Sequence, residues 1–177
     1  MRHFISKLLV ISGLLAGAGT LPVTADDYKP VDKIVRNKIP NSSFPISQSV
    51  QIPAGADVIY MSGTVPQVIN PDAEPGSRAA YGDMEAQTTS TLTELTKRLE
   101  RIGLTMGDVV MMRAYLVGDP EMDGKMDFAG FMRGYTKFYG TEEQPNLPSR
   151  SAFQIAGLAR PAWLVEIEVV AAKAPAD

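Results

Sequence analysis

The chain has 177 residues, a formal net charge of −3, no cysteine and a single histidine, His3. Beyond position 3 it therefore has no means of forming disulfides, Cys–His pairs, Ser–His triads or the usual zinc and blue-copper sites. An acidic chain without a clustered basic patch also argues against nucleic acid as a partner.

At the N-terminus, Arg2 and Lys7 lead into an apolar run from Leu8 to Leu21, and V-T-A follows just before Asp26. This is the pattern of a secretory signal peptide spanning residues 1–25, with cleavage predicted after Ala25. Gly13, Gly17 and Gly19 interrupt a run already short for a spanning helix. The mature protein, residues 26–177, is expected to be periplasmic or secreted, with no membrane segment left after cleavage. Loss of Arg2 and Lys7 takes the net charge from −3 to −5, and His3 leaves with them. Residues 26–43 are polar, carry prolines at 30 and 40, and read as an N-terminal arm or linker before one domain over residues 44–174.

SQSVQIPA and DVIYMSGTVP read as two strands joined by a turn at Pro53, Ala54 and Gly55. Gly63, late in the second, suits a bulge, the close approach of a ligand to the backbone, or simply the end of a strand. After a turn-rich loop over residues 67–82, a helix is predicted from Asp83, with Met84, Thr88, Thr91, Leu92, Leu95, Leu99 and Ile102 at helical spacing. DVVMMRAYLVG is predicted as a strand, and a second helix follows over about residues 125–139 with Phe128, Phe131, Tyr135 and Phe138 as its stripe. Such a stripe reads as core packing rather than a cofactor box.

The last stretch, NLPSRSAFQIAGLARPAWLVEIEVVAA, contains the most chemistry. Alternation puts Arg150, Ala152 and Gln154 on one face of a strand, and Glu166 and Glu168 on one face of the next. If the two strands share a sheet, Arg150 is expected near Glu166. The order β-β-α-β-α-β-β predicts an α+β domain with two helices on one side of a four- or five-stranded sheet. The other face, with Arg113, Arg150, Glu166 and Glu168 among apolar residues, is a candidate oligomer interface. No repeat and no GxGxxG or GxxxxGK[ST] phosphate loop is present.

FPISQSVQIPAGADVIYMSGTVP, GLTMGDVVMMRAYLVG and NLPSRSAFQIAGLARPAWLVEIEVVA together resemble the RidA (YjgF-type) family of reactive-intermediate deaminases. The resemblance implies a chorismate-mutase-like α+β fold and a homotrimer whose sheets face inward, with a site at each subunit interface. It implies hydrolysis of 2-imino or 2-enamino acids to a 2-oxo acid and ammonia, without metal or cofactor. By the same resemblance Arg150 holds the substrate carboxylate and Glu166 positions the attacking water. Gly63 lies with its backbone beside the substrate, and Ala152 fills a wall position often taken by cysteine. The chain departs from the family at Ile46, where many members have a tyrosine. The competing reading is a non-catalytic exported trimer that binds small carboxylates or a protein partner.

Overall fold

The computed structural model describes residues 28–175, so the expected signal peptide lies outside the described residues. Six strands form one mixed sheet: β1 (Val35–Lys38), β2 (Ser47–Gln51), β3 (Asp57–Thr64), β4 (Val109–Val117), β5 (Ser149–Ile155) and β6 (Val165–Lys173). Their order across the sheet is β1-β2-β5-β4-β6-β3. The β1–β2, β4–β6 and β6–β3 pairs are antiparallel, whereas β2–β5 and β5–β4 run parallel. Three helices accompany them: α1 (Arg78–Tyr81), α2 (Met84–Glu100) and α3 (Phe128–Tyr135). The fold is α+β, with α2 and α3 packed on one face of the sheet, as expected.

Local chemistry places the helix ends. Asp83 caps α2 by accepting from the Ala86 amide at 2.9 Å, with Glu85 in the first turn and Lys97 and Arg98 in the last, each complementing the helix dipole. Asp127 caps α3 through the Gly130 amide at 2.8 Å. This cap shortens α3 relative to the predicted 125–139, because Lys125 is held beforehand in a bridge to Asp119. Leu92, Leu95, Leu99, Phe131 and Tyr135 are fully buried against Met112, Ala114, Leu116, Val165 and Ile167 of the sheet. Gly134 permits the helices to approach closely, since a Cβ there would lie 2.7 Å from Thr88 Cβ.

The arm expected over residues 26–43 contains β1, which corrects that reading. The four residues of β1 have little strand preference of their own. They are held by pairing with β2 and by Arg36, whose guanidinium donates to the carbonyls of Gly107, Val109 and Leu147 at 2.7 to 2.9 Å. None of those carbonyls is near Arg36 in sequence, so a local reading misses them.

Candidate functional site

Strand parity decides where the predicted site residues point. In β4, Met112, Ala114 and Leu116 are fully buried beneath the helices, whereas Met111, Arg113 and Tyr115 face the other way. In β5, Arg150 pairs with Met112 and Ala152 with Ala114, so both point to the helix-covered face. In β6, Glu166 pairs with Tyr115 and Glu168 with Arg113, so both point to the uncovered face. This corrects the expectation that Arg150 shares the open face with the glutamates. Arg150 and Glu166 are also separated by two strand spacings and three residues along β4, about 10 Å in each direction. One chain does not bring them together.

On the covered face, Arg150 sits in an aromatic enclosure. Its Cζ lies 4.2 Å from the ring centre of Tyr135, 5.1 Å from Phe131, 5.4 Å from Phe44 and 6.0 Å from Phe128. Each such contact contributes about 0.5–2 kcal/mol, but rings satisfy no N–H. Nη2 lies 3.3 Å from Met132 Sδ, and Nη1 is buried without a hydrogen-bond partner. No ion pair joins Arg150 to a carboxylate among the described residues. Burial pushes its pKa below the ordinary value, with the Tyr135 phenol opposing that shift. A guanidinium stays charged regardless. The Tyr135 hydroxyl donates to the Pro45 carbonyl at 2.9 Å, fastening the segment before β2 to α3, and burial pushes that phenol's pKa well upward. The aromatic stripe of α3 therefore does more than fill the core: its Tyr135 and Phe131 rings also surround the cation. Sequence reasoning missed this, because alternation within β5 does not say which of its faces the helices cover; the register of β5 against β4 decides it.

Beside Arg150 the sheet splits. β2 meets β5 only at Ser47–Ser149 and then diverges, opening a cleft of about 410 Å³. Ile39, Ile46 and Ser47 line one side, and Met112, Arg150 and Ser151 the other. Among the described residues no acidic side chain lines it. A larger groove of about 590 Å³ runs along the outer face of α2, but both of its glutamates are already paired: Glu85 with Lys137 at 2.8 Å and Arg133 at 2.6 Å, and Glu94 with Arg98 at 3.3 Å. The smaller cleft, with its unmatched cation, is the stronger ligand site.

On the open face, Gly63 and Glu166 come together. The β3–β6 register slips between Met61 and Thr64, and a Cβ at position 63 would overlap Glu166 Oε1 and lie 2.8 Å from its Cδ. The bulge anticipated for this glycine is thus present, and the group that comes close to its backbone is the side chain of Glu166. Glu168 accepts from the Tyr115 hydroxyl at 2.7 Å and faces Arg113 at 3.7 Å. That hydrogen bond to Glu168, followed by burial, raises the pKa of Tyr115. Glu166 makes no ion pair among the described residues, so of the two glutamates it is the one left available.

The family model described as Endoribonuclease L-PSP matches residues 36–173. A RutC family protein of Saccharolobus solfataricus is 30% identical over 79% of this chain and 96% of its own. Another, from Haemophilus influenzae, is 26% identical over 77% of this chain and 92% of its own. Among solved structures, a Yersinia pestis protein of unknown function, described as a member of the conserved Rid protein family, superposes with a TM-score of 0.58. The two share 25% identity over 78% of this chain and 96% of that one.

Proposed function

Because the chain belongs to the Endoribonuclease L-PSP family, the RidA/YjgF family that its motifs resemble, we propose that it is an exported deaminase of 2-imino and 2-enamino acids. One observation carries this reading: Arg150 is a half-buried guanidinium that, among the described residues, has an unpartnered Nη1 and no carboxylate pairing, beside a cleft they line without an acidic side chain. A buried cation without a counter-ion is costly, and a planar carboxylate relieves that cost through paired, charge-assisted hydrogen bonds. A single recessed cation suits a small anion better than a polyanionic strand, whose binding grows with the number of phosphates neutralised. Hence a small 2-imino or 2-oxo acid is the preferred ligand over RNA.

The chemistry needs little else. Protonated C=N is electrophilic, so a water held by a carboxylate and transferred to carbon gives a carbinolamine, which expels ammonia and leaves the 2-oxo acid. Glu166 is the carboxylate for that role, with the Gly63 backbone beside it and Ala152 in the wall near Arg150. Since Arg150 and Glu166 point to opposite faces of one sheet, the complete site takes Arg150 and Ala152 from one chain and Glu166 and Gly63 from a second. A closed ring of three chains, packed through the open sheet face, provides such pairings. Tyr60, 81% exposed, with Val58 and Phe153 at 41% each, would be covered there.

Complementation tests both halves. Arg150→Ala and Glu166→Gln, each assayed alone on imines generated in situ, are expected to release 2-oxo acid no faster than buffer. Co-refolded in equal amounts, they should recover about one quarter of wild-type turnover, because one interface in four receives both intact residues. Recovery to zero with both variants folded would refute the composite site, and wild-type turnover equal to buffer would refute the deaminase. Export is tested separately by sequencing the N-terminus of the mature protein, expected at Asp26.

A further inference from the structure

The cleft beside Arg150 has walls of a definite character. Ile39 and Ile46 line one wall, and the other has Met112 beside Arg150 on the covered side of the sheet and Met111 on the open side; all four are aliphatic or thioether side chains. The serines between them do not offset this. Ser47 Oγ donates to the Leu147 carbonyl at 2.7 Å, and Ser149 Oγ donates to the Val110 carbonyl at 3.1 Å. Their hydroxyl protons are committed to the backbone, leaving Gln48 and Ser151, both exposed, as the free polar groups. A charged or polar substituent pushed between the isoleucines and methionines would lose its water without gaining a partner. An apolar one would gain roughly fourfold in binding for each methylene buried.

We infer that this cleft selects 2-imino acids carrying an extended apolar side chain, with Ile46 and Ile39 as the specificity-determining contacts. The inference rests on the reading of Arg150 as the carboxylate anchor. With the carboxylate held at the guanidinium, a leucine- or methionine-derived substrate extends its side chain between Ile46 and Met112. An alanine-derived substrate leaves that space to water. Ile39 belongs to the turn that follows β1, so the segment before the second strand takes part in selectivity as well as in the sheet.

The test uses two probes on the mature chain. Imines generated by an amino-acid oxidase from leucine and from alanine are compared by kcat/KM, and the stable analogues 4-methyl-2-oxopentanoate and pyruvate are compared by calorimetry. The leucine-derived member of each pair is expected to be favoured at least tenfold. Ile46→Ser should reduce that ratio at least fivefold, and Ile39→Ser, at a surface turn, carries the test if the first variant fails to fold. A ratio within twofold, or one unchanged in both variants, overturns the inference. The two readings fail separately. Turnover of both imines at similar rates removes the selectivity and leaves the deaminase. Tighter binding of the branched 2-oxo acid, sensitive to Ile46→Ser, without turnover of any imine, keeps the apolar cleft and removes the deaminase.

Discussion

The two faces of the sheet treat their ionisable residues differently. On the covered face, Arg150 is enclosed by Tyr135, Phe131 and Phe44 and has no carboxylate partner among the described residues. On the open face, Arg113, Tyr115 and Glu168 are linked to one another, and Glu166 rests on Gly63. A protein that needed Arg150 only for stability would pair it, as it pairs Arg78 with the buried Asp119 at 2.8 Å. The contrast is between a covered face that holds an unpaired cation and an open face whose arginine is paired and whose Glu166 is left without an ion pair among the described residues.

The largest expected effect breaks that contrast at Arg150. Arg150→Met should weaken 2-oxo acid binding about 100-fold by calorimetry. Its thermal midpoint should hold or rise, because an uncompensated buried cation is replaced by an apolar chain of similar reach. A midpoint lowered by several degrees would mean that the arginine belongs to the frame.

Asp119→Ala is the matching cut at a cation that is part of the frame, and it should cost about 2 kcal/mol in denaturant unfolding. Although burial pushes the Asp119 carboxyl upward, the Arg78 and Glu121 hydrogen bonds outweigh it and leave its pKa below the usual value. A depressed folded pKa means that this contribution is present above the ordinary aspartate range and is lost as the pH falls through the folded value. The acid limb of the stability profile should therefore flatten in the variant, and an unchanged limb would refute the assignment.

Gly63→Ala sharpens the open-face half. The added methyl displaces the Glu166 carboxylate, a flexible chain end that can move, so turnover should fall about tenfold while stability changes by less than about 1 kcal/mol. A stability loss matching the activity loss would show a damaged strand instead.

The smallest effect is expected at Tyr115→Phe, which removes the hydrogen bond to Glu168 at a cost of about 0.5 kcal/mol. Because the folded phenol has a raised pKa, its contribution is present below the ordinary tyrosine value and is lost as pH rises through the raised one. A tyrosinate absorbance titration should lose a component that titrates above the ordinary tyrosine value but ahead of the buried Tyr135 and Tyr139, and a titration unchanged in the variant would refute the assignment.

Much of the fold was legible because its signals are local. The period-two pattern of MMRAYLV and VEIEVVA, the 3.6-residue stripe of α2 and its start at Asp83 each act within a few residues. The absence of histidine and cysteine from the mature chain narrowed the available chemistry, strand alternation set Arg150 and Glu166 apart, and the family resemblance implied their roles. β1 was not legible, since VRNK is an unremarkable strand that depends on Arg36 reaching carbonyls more than 70 residues away.

What the amino-acid order by itself determined was which residues alternate together: Arg150 with Ala152, and Glu166 with Glu168. Only the tertiary structure decided which side each pair occupies. Alternation defines two faces of a strand but does not say which one the helices cover. That depends on β5 starting opposite Met111 in parallel and β6 running antiparallel past Tyr115. A shift of one residue in either pairing would have reversed the answer.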